Sequence, residues 1–249
     1  MYVISIAAEK GGVGKTASTV NLAYGLKGEG YEVGIIDLDG QGHATAYLGE
    51  ERGGQKLHDT LLSLSEPLNW VDTAWGIKLV PGGQALNALP AILPGKRGSE
   101  VRLKHALDRT QDNPEVVLID CPPGFGIRVV NALVASTGLL VPVTCDDSGV
   151  DGLVNALDSL EEVRTLLGSS CHLLGVLPQM VDTRTNMAAE NLDWLKSQFG
   201  EEFVSPKIRR AVAVGESWGA KTPILEYEPS GAGAKDYKKA TTWLQQRIG

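Results

Sequence analysis

The chain is poor in cysteine and in long apolar runs, and each shortage excludes a class of protein. It has three cysteines, Cys121, Cys145 and Cys171, and none forms a Cys-x-x-Cys pair. An odd number at these spacings disfavours a disulfide framework and a metal knuckle. No stretch of the sequence approaches the ~20 consecutive apolar residues that span a bilayer, and the N-terminal residues lack the pattern of a signal peptide. The expected location is therefore the cytoplasm, without a membrane partner.

Histidine is also scarce, with four residues, His43, His58, His105 and His172. They show no ligand spacing on one helix, so we interpret them as structural or surface residues.

Composition, length and charge predict one globular α/β domain over residues 1–249. Apolar residues make up 43% and charged residues 21% of the chain, which excludes disorder as the dominant state. The net charge of −7 argues against a wholly nucleic-acid-binding surface. Residues 206–249, however, carry +4 and the rest −11. Such a basic C-terminal face could meet a phosphate backbone or an acidic partner, or be an ordinary solvated surface.

Short apolar, β-branched runs alternate with helix-length stretches. The predicted strands are Tyr2–Ala8, Val33–Asp37, Ile77–Val80, Val116–Asp120, Leu139–Thr144 and Leu173–Val181. The predicted helices are Thr16–Lys27, Val129–Ser136, Val150–Leu167, Met187–Phe199 and Ala234–Arg247. This alternation predicts a mainly parallel twisted sheet with helices on both faces. Gly- and Pro-rich segments at Gly49–Gln55, Pro81–Gly98 and Glu228–Gly233 are predicted loops.

Residues 9–16 read Glu-Lys-Gly-Gly-Val-Gly-Lys-Thr and lie between a predicted strand and a predicted helix. The three glycines let successive N–H groups point at phosphate oxygens, and the helix offers its positive end. Lys15 would neutralise phosphate charge, and Thr16 would bind Mg²⁺. The usual phosphate-loop pattern has glycine where this chain has Glu9, followed by Lys10. We predict nucleotide binding, with Lys10 on phosphate; the alternative is a glycine-rich turn with a solvated lysine.

Three aspartates end predicted strands: Asp37 and Asp39 at one, and Asp120 at another. In a parallel sheet the ligand crevice lies beyond these carboxyl ends. Asp120 is therefore predicted as the outer-shell acceptor for nucleotide-bound Mg²⁺. One of the other two would tune the metal or support the cradle, and Asp39 is predicted to orient an attacking water. The alternative is that these carboxylates only cap turns.

In chain order the motifs are Lys10, the phosphate loop, Asp37, Asp39 and Asp120-Cys121-Pro122-Pro123. With these motifs the chain resembles the ParA/Soj partition ATPases, a deviant phosphate-loop class of the MinD/ParA superfamily. Residues 182–186 resemble the family's Asp-x-Arg-Thr-Asn segment, and residues 223–232 resemble its C-terminal block. The resemblance covers nearly the whole chain and implies the P-loop NTPase fold.

The resemblance also implies a cycle. ATP and Mg²⁺ would be the cofactors, and ATP would let two subunits close face to face with Lys10 reaching the partner's nucleotide. The ATP-bound homodimer would coat non-specific double-stranded DNA in a nucleoid-associated state. A ParB-like centromere-binding partner would stimulate slow hydrolysis and release the dimer, which segregates a plasmid or chromosome.

The assigned residues fall into four groups. The catalytic residues are Lys10, Lys15 and Asp39. The nucleotide-binding residues are Lys10, Gly11, Gly12, Val13, Gly14, Lys15, Thr16, Ala17, Met180, Arg209 and Arg210, of which the last three are placed near adenine by the resemblance. The metal-site residues are Thr16, Asp37, Asp39 and Asp120. The DNA-binding residues are Arg184, Arg209, Arg210, Lys235, Lys238 and Lys239.

The chain departs from the family pattern in two segments. The usual Ile-Pro-Arg-Asn-Val-Arg reads Ile-Arg-Arg-Ala-Val-Ala at residues 208–213, so a DNA-contacting arginine is replaced by Ala213. Arg184 matches the family's other such arginine, and Arg209 could compensate. The usual Asp-Pro-Gln-Gly-Asn reads Asp-Gly-Gln-Gly-His at residues 39–43, which keeps the carboxylate.

Two other functions use the same loop. A MinD-like ATPase would bind membrane through a C-terminal amphipathic helix; here Tyr237, Ala240, Leu244 and Ile248 form a helical stripe that core packing explains more simply. A metabolic synthetase would activate a small molecule, but no substrate pocket is legible. No operator-reading domain is expected ahead of Tyr2.

Overall fold

The computed structural model describes residues 1–182 and 184–248, and its centre is a seven-stranded sheet in the order β3-β4-β2-β5-β1-β6-β7. The strands are β1 (Tyr2–Ile6), β2 (Val33–Asp37), β3 (Val71–Asp72), β4 (Lys78–Val80), β5 (Val116–Asp120), β6 (Gly138–Thr144) and β7 (His172–Gln179). All neighbouring strands are parallel except β3 and β4, which are antiparallel. The sheet is therefore mainly parallel, as the sequence predicts.

Helices connect the strands and cover both faces. They are α1 (Lys15–Gly28), α2 (His43–Tyr47), α3 (Gln55–Leu62), α4 (Leu89–Ile92), α5 (Arg102–Arg109), α6 (Ile127–Ala135), α7 (Asp147–Leu167), α8 (Asn186–Phe199), α9 (Val212–Gly219), α10 (Ile224–Tyr227) and α11 (Ala232–Ile248). None of the helices in the described part of the chain is both long and apolar enough to traverse a bilayer.

Strand register brings two predicted site residues together. β5 lies between β1 and β2, and Asp37 is opposite Asp120 at their carboxyl ends. Every residue of β2 and β5 is buried, because helices cover both faces of a parallel sheet. One extra residue, Leu174, bulges from β7 where Leu139 pairs with Leu173 and the next β6 residue pairs with Gly175. The bulge sets which β7 side chains face the crevice.

Two apolar layers form the core, one on each face of the sheet. Val117 and Ile119 of β5 enter one layer, and Leu118 enters the other, as the alternation of a strand requires. The stripe on α11 lies in the second layer: Tyr237, Ala240 and Leu244 are buried there and Ile248 packs against it. The interpretation of this stripe as core packing is confirmed.

α11 also packs very closely on α1, the helix that follows the glycine-rich loop. A Cβ on Gly25 of α1 would overlap the side chain of Thr241 on α11. Only glycine allows the two helices this approach.

The prediction of a plain loop at Pro81–Gly98 is wrong. The segment forms 3₁₀ turns at Gln84–Ala88 and Leu93–Gly95, with α4 between them. Leu86, Leu89 and Leu93 are buried in the core, a spacing that puts three side chains on one helical face. The glycines and prolines at its ends concealed this pattern. The short elements β3, α2, α3, α5, α9 and α10 were also not predicted, since each has few residues.

Candidate functional site

A cleft of about 760 Å³ lies beyond the carboxyl ends of the strands. Of the predicted site residues, Gly11, Gly12, Gly14, Lys15, Thr16, Ala17, Asp39, Met180, Arg209 and Arg210 line it. The segments that follow β1, β2 and β7 therefore meet at one cavity, which is the geometry expected of a ligand crevice in an α/β sheet.

The glycine-rich loop is shaped by two left-handed residues, Gly12 at φ 78° and Gly14 at φ 87°. Gly14 is also the N-cap of α1, so the helix begins directly at the cleft. A Cβ on Gly14 would lie 2.8 Å from Oε1 of Gln179, the last residue of β7. Glycine is thus required by both backbone angle and space. The buried Gln179 amide donates to Ser18 Oγ at 2.9 Å.

Lys15 lies low in the cleft, with only 7% of its surface exposed. Its Nζ donates to the carbonyl oxygen of Lys10 at 2.7 Å and to that of Ala8 at 3.4 Å. Burial lowers the pKa of this amine, and the nearby Asp120 carboxylate opposes the change. The ammonium group is therefore poorly solvated and placed to be neutralised by an anion.

Thr16 and Asp120 are held together behind the loop. The Thr16 hydroxyl donates to Asp120 Oδ2 at 2.8 Å, and that of Thr19 donates to Oδ1 at 3.1 Å. Asp120 is fully buried and does not line the cleft. Burial and then the neighbouring charge of Asp37 raise the pKa of Asp120 well above its usual range. A cation bound at Thr16 would offset this concentration of negative charge.

The residues fit a Mg²⁺ site of the phosphate-loop type. In the described part of the chain no three acidic, imidazole or thiol side chains converge to hold a metal by themselves. Mg²⁺ with one protein hydroxyl, nucleotide oxygens and water as ligands needs only the hydroxyl and an outer carboxylate. Thr16 and Asp120 supply these two groups.

Asp37, a predicted metal-site residue, lies opposite Asp120 at the carboxyl ends of β2 and β5. It is completely buried and does not line the cleft. Its carboxylate accepts from the Asp39 amide at 3.0 Å, and from the Thr45 amide and hydroxyl at 2.9 and 2.7 Å. Burial raises its pKa to about 6, and these three hydrogen bonds act against the rise. These contacts support the expected role in holding the cradle, and the role in tuning the metal stays a prediction.

Asp39 does face the cleft, and its backbone is fixed by the buried Asp37. Its Oδ1 accepts from the Gln41 amide at 3.0 Å, which closes a tight turn. Gly40 within that turn is covered by Asn87, and a Cβ on Gly40 would overlap the Asn87 amide. Asn87 itself lines the cleft. The helical turns after Pro81 thus form the wall beside Asp39.

The opposite wall is built by β7 and residues 208–210. Met180 has φ 52°, a left-handed conformation that is rare for methionine. The amide of Val181 donates to Ile208 O at 3.0 Å, and that of Arg210 donates to Val181 O at 3.2 Å. Two chain segments are thereby joined as a short ladder along the cleft.

Several cleft residues were not found from sequence. His43, predicted to be a structural or surface residue, lines the cleft edge-on to Trp218, with ring centroids 5.9 Å apart. Arg128 also lines it and donates to Leu38 O at 3.0 Å. The position of His43 four residues after Asp39 was an available signal. No sequence pattern around Trp218 or Gln179 indicates a site, because these two residues reach the cleft only when the chain folds.

Two predicted loop residues do not line the cleft. Lys10 is exposed next to it, and its carbonyl oxygen receives the Lys15 amine. Val13 is buried in the core, so only its main chain can face a phosphate.

The predicted DNA-binding residues are distributed over two regions. Lys235, Lys238 and Lys239 are exposed on α11. Arg184 has an exposed side chain that forms a 2.7 Å ion pair with Asp182. The Arg209 side chain is partly exposed and its guanidinium is paired with the buried Asp236 at 2.7 Å, so its part in DNA binding stays a prediction. Thr183 lies outside the described residues.

Comparisons with known proteins agree with this geometry. A family model described as an AAA domain matches residues 1–172. The sporulation initiation inhibitor protein Soj of Bacillus subtilis is 33% identical over 239 residues, which cover 94% of each chain. The chromosome-partitioning ATPase Soj of Thermus thermophilus is 34% identical over 250 residues, covering 98% of this chain and 96% of that protein.

Solved structures are similar over the whole chain. A Mycobacterium smegmatis protein described as cobyrinic acid a,c-diamide synthase, with bound ADP and magnesium, is 29% identical with a TM-score of 0.83, covering 99% of this chain and 94% of its own. Cyanothece McdA in an ATP complex has a TM-score of 0.88 at 22% identity, covering 100% and 96%, and shows the fold alone. The chain belongs to the AAA-domain family and, within it, to the ParA/Soj ATPases of the MinD/ParA superfamily of P-loop NTPases.

Proposed function

We propose that this protein is a partition ATPase in which ATP pairs two copies, the pair binds double-stranded DNA without sequence preference, and hydrolysis ends that state. The observation that carries the proposal is the Thr16 hydroxyl held on Asp120 at the foot of a glycine cradle, with Asp39 on the same cleft. Relatives named chromosome-partitioning ATPase Soj and chromosome partitioning protein ParA support the biological role.

ATP and Mg²⁺ are the cofactors that suit the cleft. The amides of residues 11–16 and the N-terminus of α1 would receive the phosphates. Lys15 would exchange its two carbonyl contacts for phosphate oxygens, which are stronger acceptors for an ammonium group. Mg²⁺ would supply charge neutralisation between the terminal phosphates, with Thr16 as the protein ligand. The adenine would lie along the wall formed by Met180 and residues 208–210.

Hydrolysis needs a positioned water and balanced charge. Asp39 would accept a hydrogen bond from water and orient its oxygen toward the terminal phosphorus, so that the oxygen–phosphorus bond forms as the bond to ADP breaks. Its hydrogen bonds to Asp37 and Gln41 hold the carboxylate in one place. Positioning of this kind suffices for slow ATP hydrolysis, and slow hydrolysis would set how long the pair stays on DNA.

Pairing of two copies would explain Lys10. It is exposed next to the cleft and does not line it, so its side chain is available to reach the nucleotide of a second copy. Nucleotide would then be buried between two subunits, and loss of Lys10 would prevent pairing without removing the loop.

DNA binding would use the exposed lysines of α11, with Arg184 and Arg210 as further contacts. One such face binds weakly and depends strongly on salt, because each neutralised phosphate releases counterions. A dimer doubles the available contacts. We propose that a ParB-like partner stimulates hydrolysis and so returns the protein from the nucleoid to the cytoplasm.

The proposal is tested with Lys10→Ala, Lys15→Ala and Asp39→Ala, with Lys56→Ala, an exposed lysine of α3, as the control. ATP hydrolysis, ATP-dependent dimerisation and retention on non-specific DNA are measured for each. We expect no nucleotide binding by Lys15→Ala and no pairing by Lys10→Ala. Asp39→Ala should stay paired on DNA with hydrolysis at least about tenfold slower, since orientation of the water is lost.

Other outcomes contradict particular parts. Normal hydrolysis by Asp39→Ala would refute the water-orienting role. Equal DNA retention with and without ATP would refute the switch. ATP-dependent recovery on anionic vesicles instead of DNA would favour a membrane-associated positioning ATPase, and turnover only with an added metabolite would favour a synthetase.

A further inference from the structure

An ion pair between the partly exposed Arg209 and the buried Asp236 ties the cleft wall to α11. The carboxylate of Asp236 accepts from Arg209 three times: from the backbone amide at 3.0 Å, from Nε at 2.8 Å and from Nη2 at 2.7 Å. The side chain of Asp236 is 6% exposed, and that of Arg209 is 41% exposed. Such a two-pronged guanidinium contact with an added amide bond is specific in geometry as well as charge.

Arg209 is a structural part of the nucleotide cleft. It lines the cavity together with Ile208 and Arg210. Val181 pairs with Arg209 as an isolated parallel bridge, and Arg209 lies between the two ladder hydrogen bonds of this wall. Because Asp236 holds the Arg209 amide as well as its side chain, it fixes the main chain of the wall and not merely one side chain.

The helix that provides Asp236 is itself held against the phosphate-loop helix. Next to Asp236, the fully buried Tyr237 hydroxyl lies close to Ser18 and Gln179, which support the glycine cradle. Further along, Gly25 of α1 closely approaches Thr241 of α11. α11 is therefore a rigid support on which the loop and the opposite wall are placed relative to each other.

We infer that Asp236 is a positioning residue for nucleotide binding, which acts through Arg209 to hold residues 208–210 at the distance from the glycine loop that a bound nucleoside diphosphate requires. This inference rests on the proposed function of the cleft. Asp236 does not line the cleft and would touch neither phosphate nor water, so its loss should weaken nucleotide affinity and leave the rate of the chemical step unchanged. Its charge is useful only with Arg209, so the two residues should act as one unit.

The experiment measures ADP·Mg²⁺ affinity by calorimetry, because ADP binding does not require pairing of two copies, and then KM and kcat for ATP. The variants are Asp236→Asn, Arg209→Ala, the double variant and Arg209→Lys, with Asp158→Asn, an exposed acid of α7, as the control. We expect Asp236→Asn to raise the ADP dissociation constant and the KM for ATP about tenfold, with kcat within about twofold of the wild type. A tenfold loss of affinity is in the range of one charge-assisted hydrogen bond. The double variant should bind no worse than Arg209→Ala, and Arg209→Lys should be intermediate, since lysine lacks the fork.

Several results would overturn the inference. One is Asp236→Asn binding ADP as tightly as Asp158→Asn; another is a fall in kcat with KM unchanged; a third is additive losses in the double variant. Thermal unfolding without nucleotide identifies any variant that does not fold. If Asp236→Asn is such a variant, the Arg209 variants, whose side chain is partly exposed, test the inference in its place. A wild-type chain that binds neither ADP nor ATP overturns the proposed function as well, whereas wild-type binding with an unaffected Asp236→Asn overturns this inference alone.

Discussion

Gly25→Ala should destabilise the protein although alanine is the better helix former. Alanine at an interior helix position gains about 1 kcal/mol over glycine. Here the new methyl group would overlap Oγ1 of Thr241 and lie 2.9 Å from its Cγ2. Overpacking of this kind costs about 1–3 kcal/mol, and we expect the upper part of that range, about 2–3 kcal/mol, because the helices cannot separate without breaking the α1–α11 contact. We expect a net loss of about 1–2 kcal/mol, or about 3–6 °C in Tm for a chain of this size.

Gly28→Ala is the matched control on the same helix. Gly28 ends α1 and is exposed, and a Cβ added there would meet no atom of the described residues within 4 Å. The substitution should therefore be neutral or slightly stabilising, opposite in sign to Gly25→Ala. Thr241→Ala removes the two overlapping atoms and should restore most of the loss in the double variant. Urea denaturation followed by circular dichroism gives the free energies of unfolding of the wild type, the three single variants and the double variant.

Equal stabilities of Gly25→Ala and Gly28→Ala would refute the steric argument. So would strictly additive effects of Gly25→Ala and Thr241→Ala, because two residues in contact must show a coupling energy.

Three further predictions concern the site. Thr45→Val removes a hydroxyl from the buried Asp37 carboxylate and should lower the free energy of unfolding by about 2 kcal/mol in urea denaturation. Gly40→Ala should slow ATP hydrolysis about tenfold or more with unchanged ADP affinity, because the overlap with Asn87 displaces the turn that carries Asp39, the residue proposed to orient water. Asn87→Ala should restore the rate. Lys238→Ala should reduce the slope of log affinity for DNA against log salt by about 1 in a binding titration.

Each of the three has an outcome that contradicts it. Thr45→Val as stable as the wild type would mean that the Asp37 carboxylate is satisfied by main-chain amides alone. A Gly40→Ala variant that loses ADP affinity and hydrolysis equally would indicate general disruption of the cleft. A salt slope for Lys238→Ala equal to those of the wild type and of the control Lys56→Ala would mean that Lys238 contacts no phosphate. This result would contradict the proposed DNA-binding role of α11.

The central strands and the phosphate loop could be predicted from sequence because their signals are local. β2 and β5 have the predicted bounds, since each is a continuous apolar run that ends in aspartate before a turn. The loop could be placed from Gly12 and Gly14 together with the residues that follow them. These patterns need no knowledge of distant residues.

The rest of the site depends on contacts between residues far apart in the chain. The pairing of Arg209 with Asp236 joins residues 27 positions apart, and no spacing rule reveals it. The approach of Trp218 to His43 joins segments 175 positions apart. The short helical turns after Pro81 were concealed because proline and glycine are also typical of loops.

The single extra residue at Leu174 has a consequence for how the sheet assembles. Side chains of a strand alternate between faces, so β7 aligned without its bulge would turn Gln179 away from Gly14 and Ser18. A misaligned edge strand would then leave the cradle without its lateral support. Since only the correct alignment completes the binding pocket, a nucleotide bound there would favour that alignment over the shifted one.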